Sequence, residues 1–315
     1  MIHHPTKEEI ESACQRLKAW VHRTPVLSSS GLNSLFGGSL FFKCENFQRA
    51  GAFKFRGAIN ALLQLDSRQL RQGVATHSSG NHAAALSLAA SLVGTTAYIV
   101  MPENSNPVKI AATQSYGGAI TFCAPTLLSR EKTLETVVSQ TGAIEIHPYN
   151  NLQIIAGQST SACELFEEVS GIDQIIAPVG GGGLLSGTAL ASRYFSPATK
   201  VIGAEPLGAD DAYRSFVSRQ FIPAENPQTI ADGLRTSLGS LTFPVILDLV
   251  DEMATVTEES IVEAMRLIWT RMKIVIEPSS AVPLAAILEG KIKVAGKKTA
   301  IILSGGNVDL NHLPF

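Results

Sequence analysis

The feature that most constrains this chain of 315 residues is a repeated alternation of short apolar runs with helix-forming segments. Between Gly73 and His147 the runs GVATH, AYIVM, AITFC and AIEIH are separated by helix-like stretches near 81–93, 107–116 and 129–140. A short apolar run between breakers reads as a buried strand, and two parallel strands need a crossover long enough to be a helix. A second series follows, with a helix near 159–169, the strand QIIAPV, a helix after Gly183, the strand KVIGAE, helices near 258–273 and 280–289, and a last strand TAIILS. The pattern predicts an α/β fold of two open units with mostly parallel sheets and a cleft between them. Residues 71–149 are expected to form a small domain, and residues 1–70 with 150–315 a large one. At the start, Thr6 and Glu9 have the spacing of a capping box ahead of an amphipathic segment reaching about Lys18.

Composition narrows the function. With 45% hydrophobic and 17% charged residues the chain can bury a large core. A net charge of -2, with Lys and Arg spread along the chain, offers no nucleic-acid or polybasic membrane surface, so a small-molecule partner is expected. Cys14, Cys44, Cys123 and Cys163 are scattered and form no CxxC pair, which argues against a zinc cluster or disulfide framework and for a reducing cytoplasm. The opening MIHHPTKEEI lacks a basic region followed by an apolar run, so no secretory signal is expected. The uncharged stretch 83–101 is long enough to raise the question of a membrane span, but Gly94, Thr95 and Thr96 divide it into a helix and a strand.

Five segments can carry chemistry. In GAFKFRGAINAL, Lys54 stands between two phenylalanines, and apolar neighbours lower a lysine's pKa, which suits attack on an aldehyde and later service as a base. The plain alternative is a solvated lysine at a helix start. THSSGNHAAAL joins a strand to a helix, where free N–H groups together with Ser78, Ser79 and Asn81 can hold a carboxylate, or simply cap the helix. PVGGGGLLSG has the same strand–loop–helix form. Four consecutive glycines there permit close approach of a phosphate. A dinucleotide site, with Glu205 as ribose partner, is the rival, but G-x-G-x-x-G spacing fails at Ser186 or Leu185. IILSGGN delivers Ser304 to the C-terminal edge of a sheet. AEPLGADD brings Glu205, Asp211 and an intervening backbone carbonyl within reach of a hard cation, or forms a solvated acidic loop.

In this order the motifs resemble the fold-type II pyridoxal-phosphate enzymes, of tryptophan synthase beta-like fold, and within them the serine/threonine dehydratase and serine racemase family. HRTPVLSSSGLN, FFKCENFQRAGAFKFRGA, THSSGNH, MPENSNPVKIAAT, IAGQ, GGGGLLSG, AEP, ADGL, EPSSA and SGGN cover nearly the whole chain. The resemblance implies pyridoxal 5'-phosphate in the cleft, held mainly by the large domain. Lys54 would bind it as a Schiff base, Phe53 would lie against its ring, and Asn81 would bond its phenolic oxygen. Gly180, Gly181, Gly182 and Gly183 would hold its phosphate, and Ser304 would face its pyridine nitrogen as a neutral partner, which suits β-elimination. Ser78, Ser79, Gly80 and Asn81 would bind the substrate carboxylate, with Arg130 nearby. Glu205, the carbonyl of Ala209 and Asp211 would bind Mg2+, Mn2+ or Ca2+.

The implied activity is dehydration of serine, threonine or threo-3-hydroxyaspartate to a 2-oxo acid and ammonia by a homodimeric cytoplasmic lyase. Ser79 keeps a racemase of the serine type open as an alternative or second activity, and a nucleotide-binding module without the cofactor is a third reading. Three departures qualify the likeness. Ala50 and Ala52 replace the Thr or Ser of many relatives, which weakens any expectation of nucleotide activation, and Ser159 follows IAGQ where glycine is usual. The chain stops at Phe315, so no C-terminal regulatory domain is expected. IADGLRTS, with Arg235, leans toward the 3-hydroxyaspartate branch, Arg235 being a partner for a second carboxylate.

Overall fold

The computed structural model describes residues 4–315. In chain order its strands are β1 (Val26–Leu27), β2 (Ser39–Cys44), β3 (Val74–His77), β4 (Ala97–Pro102), β5 (Ala119–Cys123), β6 (Ile144–Glu145), β7 (Gln174–Pro178), β8 (Lys200–Pro206), β9 (Glu252–Val256) and β10 (Lys298–Leu303). They form two sheets. The larger runs β1-β2-β10-β7-β8-β9, parallel except where β1 meets β2. The smaller runs β5-β4-β3-β6 and is parallel throughout. This is the expected α/β architecture, and the capping box at Thr6 opens the helix Lys7–Leu17 as the sequence predicts.

Parallel sheets are buried on both faces, so their strands read as continuous apolar runs. In the large sheet the side chains divide by alternate positions. Ile176, Ile202, Ile301 and Leu303 pack under the helices Glu258–Met272 and Pro278–Leu288. Ile175, Ala177, Val201, Ala300 and Ile302 face the helices Lys7–Leu17, Leu152–Glu168 and Gly183–Phe195. The small sheet packs Val74, Ala97, Ile99 and Met101 against Asn81–Val93, and Ala75 and Val100 against Leu127–Thr141. The stretch 83–101 divides as expected into the end of that first helix and β4. No helix among the described residues is long and apolar enough to cross a membrane.

The helix Lys54–Leu62 lies between the two units, against Leu152–Glu168 on one side and Asn81–Val93 on the other. Its crossing with Leu152–Glu168 depends on two glycines: a Cβ on Gly157 would stand 2.6 Å from the Cα of Gly57. Beside the crossing Arg56 is fully buried. It donates to both oxygens of Glu45, at 2.7 and 2.9 Å, and to both of Glu164, at 2.8 Å. Lys43, also buried, donates to Glu164 at 2.7 Å. Two cations and two anions thus compensate one another at the base of the helix that carries Lys54.

The structure extends the sequence reading in three places. The helix expected near 159 begins at Leu152, because Asn151 caps it by accepting from the N–H groups of Gln153 and Ile154. β2 and β9 are additional strands. The Lys43 that interrupts β2 is paired underground, and Glu252 marks the exposed end of edge strand β9.

Candidate active site

Open parallel sheets present ligand sites at the C-terminal ends of their strands. The ends of β3, β7, β8 and β10 and the segments that follow them contain all but three of the expected site residues, the exceptions being Phe53, Lys54 and Arg130. Lys54 is the first residue of its helix and its ammonium donates to the carbonyl of Pro148 at 3.0 Å. The Nζ lies 5.2 Å from the ring centre of Phe53 and 5.9 Å from that of Tyr149. Burial disfavours the charged form and lowers the pKa to about 8, against the opposing pull of Glu277. The segment is pinned to the end of β10: Phe53 N–H donates to Ser304 O at 3.0 Å, and Ala52 bridges Gly305.

The loop Gly180, Gly181, Gly182 and Gly183 is buried and passes into the helix Gly183–Phe195. A Cβ on Gly181 would fall 2.3 Å from the Tyr149 ring, and Gly182 has a φ of 85°, so side chains are excluded for two separate reasons. No side chain caps this helix. A buried helix start with uncapped N–H groups calls for an anion, and a phosphate meets that need. The Asn81–Val93 helix is likewise uncapped at Gly80, with Ser78, Ser79 and Gly80 half-buried before it. Its free N–H groups suit a carboxylate.

Asn81 belongs to a network that sequence reasoning did not find. Its Nδ2 donates to Glu277 Oε1 at 2.8 Å, and its Oδ1 accepts from Asn307 Nδ2 at 3.0 Å. Asn307 also donates to Ala50 O at 2.8 Å. Glu277 is buried, its other oxygen has no partner, and burial pushes its pKa up to about 7. Ser304 is buried with its Oγ 3.0 Å from that of Ser280, which itself bonds both the N–H and C=O of Gly305. The signals were the EPSSA and SGGN motifs, from which only Ser304 was drawn.

A ladder of rings extends from Lys54 toward Arg130. Tyr149 meets His147 edge to face at 4.6 Å, and His147 meets His77 at 6.3 Å. Burial lowers the pKa of His147 to about 4, and burial followed by the charge of Arg130 lowers that of His77. Arg130, on the helix Leu127–Thr141, has a buried Nε without a partner. Arg235 is exposed and donates to Thr229 O, and its neighbours Leu234 and Thr236 lie against Gly180 of the glycine loop.

At the end of β8 the structure brings Glu205 and Asp211 together. Glu205 accepts from the N–H groups of Ala212 and Tyr213, at 3.3 and 2.8 Å. Asp211 is buried with neither carboxylate oxygen bonded. Burial raises the pKa of Asp211 to about 7, and burial with the charge of Asp211 raises that of Glu205. Ala209 stands in the short turn Leu207–Ala209 before them. Among the described residues no three His, Cys, Asp or Glu side chains converge on one point, so a cation here would draw on two carboxylates and backbone oxygen.

Residues 17–305 match the family described as pyridoxal-phosphate dependent enzyme. The chain is 50% identical over 311 residues to the beta-hydroxyaspartate dehydratase of Paracoccus denitrificans, covering 99% of each chain. It is 50% identical over 313 residues to the serine racemase of Dictyostelium discoideum, covering 98% of this chain and 96% of that one. The structure of maize serine racemase superposes with a TM-score of 0.96 at 46% identity, over 98% of this chain and 95% of that chain. The matched region spans Lys54, the uncapped glycine loop that fits a phosphate, and Ser304. On these grounds the chain belongs to the pyridoxal-phosphate dependent enzymes of fold type II.

Proposed function

We propose that the chain is an ammonia-lyase that dehydrates a small 3-hydroxy amino acid, threo-3-hydroxyaspartate, serine or threonine, with racemisation as a second activity of the same site. One observation carries the reading: a lysine amine of depressed pKa stands between two uncapped helix starts, one after a buried glycine turn and one after the Ser78–Ser79–Gly80 turn. Those are the requirements for a base, a phosphate and a carboxylate in one cleft. The relatives named beta-hydroxyaspartate dehydratase and serine racemase support the two activities equally, each at 50% identity. Residues 71–149 are read as a domain that carries the carboxylate turn toward the large sheet.

Pyridoxal phosphate supplies the electron sink that makes the substrate's Cα proton acidic. Gly180 to Gly183 would hold the phosphate through backbone N–H groups, Asn81 would hydrogen-bond the cofactor, and Ser304 would give its nitrogen a neutral neighbour. The hydroxyls of Ser78 and Ser79, with the N–H of Ser79, bind the carboxylate and fix which substituent lies beside Lys54. Lys54 Nζ takes the Cα proton, the β-hydroxyl leaves as water, and the released enamine is hydrolysed by a water molecule to a 2-oxo acid and ammonia. Ser79 Oγ holds or gives a proton on the face opposite Lys54. Arg130, reached along the His77 and His147 ladder, offers a cation to a second substrate carboxylate. Glu205 and Asp211, with the carbonyl of Ala209, hold Mg2+, Mn2+ or Ca2+, a reading supported by the unbonded buried oxygens of Asp211.

The test is Lys54→Ala assayed against serine, threonine and 3-hydroxyaspartate, following both 2-oxo acid formation and enantiomer exchange. Both activities should vanish, together with the absorbance of covalently held cofactor. Near-normal turnover of any of the three would remove Lys54 as the base.

A further inference from the structure

The helix Lys7–Leu17 packs against Leu152–Glu168, and Cys14 and Cys163 meet at that contact, each close enough to shift the other's pKa. Cys163 is buried and Cys14 half-buried within the same apolar cluster. Both line a surface cavity of about 280 Å³, shared with Leu17, Arg23, Glu164 and Glu167. The two remaining thiols have no such partner. Cys44 is buried and bonded to Phe42 O, and Cys123 packs under Leu127–Thr141 in the small domain.

We propose that Cys14 and Cys163 are a redox-responsive pair, which a hydroperoxide closes into a disulfide that ties the first helix to Leu152–Glu168. The two sulfurs differ in role. Cys14 is half-buried on the cavity wall, whereas Cys163 is buried, and the neighbouring Cys14 and then burial push its thiol up. The thiolate is the nucleophile, so Cys14, the more accessible of the two, reacts first. Its sulfur attacks one peroxide oxygen, the O–O bond breaks, and the departing hydroxide leaves as water, with Cys14 as a sulfenic acid. Cys163 sulfur then attacks Cys14 sulfur and displaces a second water. In sum two thiols lose two electrons and two protons, and one hydrogen peroxide becomes two waters.

The bridge has consequences beyond the surface. It closes a loop that contains the whole small sheet, and long loops restrict the unfolded chain most. Its Cys163 end precedes Glu164, which accepts from Arg56 and Lys43 beneath the helix of Lys54.

The experiment treats the cofactor-loaded enzyme with stoichiometric hydrogen peroxide, blocks free thiols, and digests without reduction for mass spectrometry. Two of the four thiols should disappear, one peptide should join Cys14 to Cys163 at a mass lighter by two hydrogens, and dithiothreitol should reverse it. The thermal midpoint should rise by several degrees before reduction and return after it. In Cys163→Ser, Cys14 should accumulate as sulfenic and sulfinic acid, whereas in Cys14→Ser residue Cys163 should stay reduced. A cross-link between two chains, oxidation of Cys14 beyond sulfenic acid while Cys163 remains free, or reaction of Cys44 or Cys123 first would overturn the proposal.

Discussion

The amine of Lys54 titrates at about 8, lowered by burial and partly restored by Glu277. Only the neutral amine captures an aldehyde, and its fraction falls about tenfold for each pH unit below the pKa. Cofactor-free protein should therefore bind pyridoxal phosphate about ten times faster at pH 7 than at pH 6, with a plateau above pH 8, as followed by stopped-flow absorbance. A rate that keeps climbing tenfold per unit to pH 10 would mean an ordinary lysine. At Ser79 the separable quantity is the ratio of activities. Ser79→Ala should leave dehydration of an L-substrate measurable and cut racemisation or D-substrate turnover by about 100-fold or more, the usual loss for a positioned acid or base. An unchanged D-to-L ratio would reduce Ser79 to a carboxylate ligand. Residues such as these were legible because each sits in a compact motif. Glu277 was not. Its partner Asn81, and Asn307 bonded in turn to Asn81, come from distant parts of the chain, and next to Pro278 a lone glutamate reads as an ordinary helix start.

Helices and strands were read where period and punctuation agree. Asn81–Val93 is an example, closed by Gly94 in the left-handed conformation. They were missed where tertiary pairing decides. β2 carries a lysine that Glu164 and the carbonyl of Thr24 make tolerable inside, and the first two turns of Leu152–Glu168 contain Gly157, a poor helix former kept for its contact with Gly57. The same crossing explains why Arg56 should matter more than its distance from the reacting atoms implies. Arg56→Leu leaves Glu45 without its cationic partner and Glu164 with only Lys43. Breaking a buried ion pair from one side costs about 3–5 kcal/mol. Urea unfolding of the variant should show a loss of that size, with reduced kcat from a loosened Lys54 helix. A loss below about 1 kcal/mol would place the cluster among the dispensable ion pairs.

For the molecule as a whole, the acidic pair at the end of β8 ties stability to pH and, at the proposed cation site, to divalent cations. The pKa of Asp211 rises from 3.8 to about 7 in the folded state, and that of Glu205 rises too. Between those values the folded protein holds a proton that the unfolded chain has released, so the contribution of Asp211 to stability falls as pH rises from about 4 to 7. A bound cation reverses that loss, by about 2.7 kcal/mol at a concentration 100 times its Kd. Thermal midpoints should therefore rise with Mg2+, Mn2+ or Ca2+ at pH 8 and much less at pH 5, and Asp211→Asn should abolish the response. No cation effect in the parent protein at pH 8 would remove the site. The strand order has a different consequence, for synthesis of the chain. β2 and β7 never touch; β10, which is made last, lies between them. The small sheet can close once residue 145 has emerged, but the large one stays split until residue 303 is free of the ribosome. Since Phe53 and Ala52 are fastened to Ser304 and Gly305, the lysine turn has no fixed position until the segment after β10 has been made and has docked.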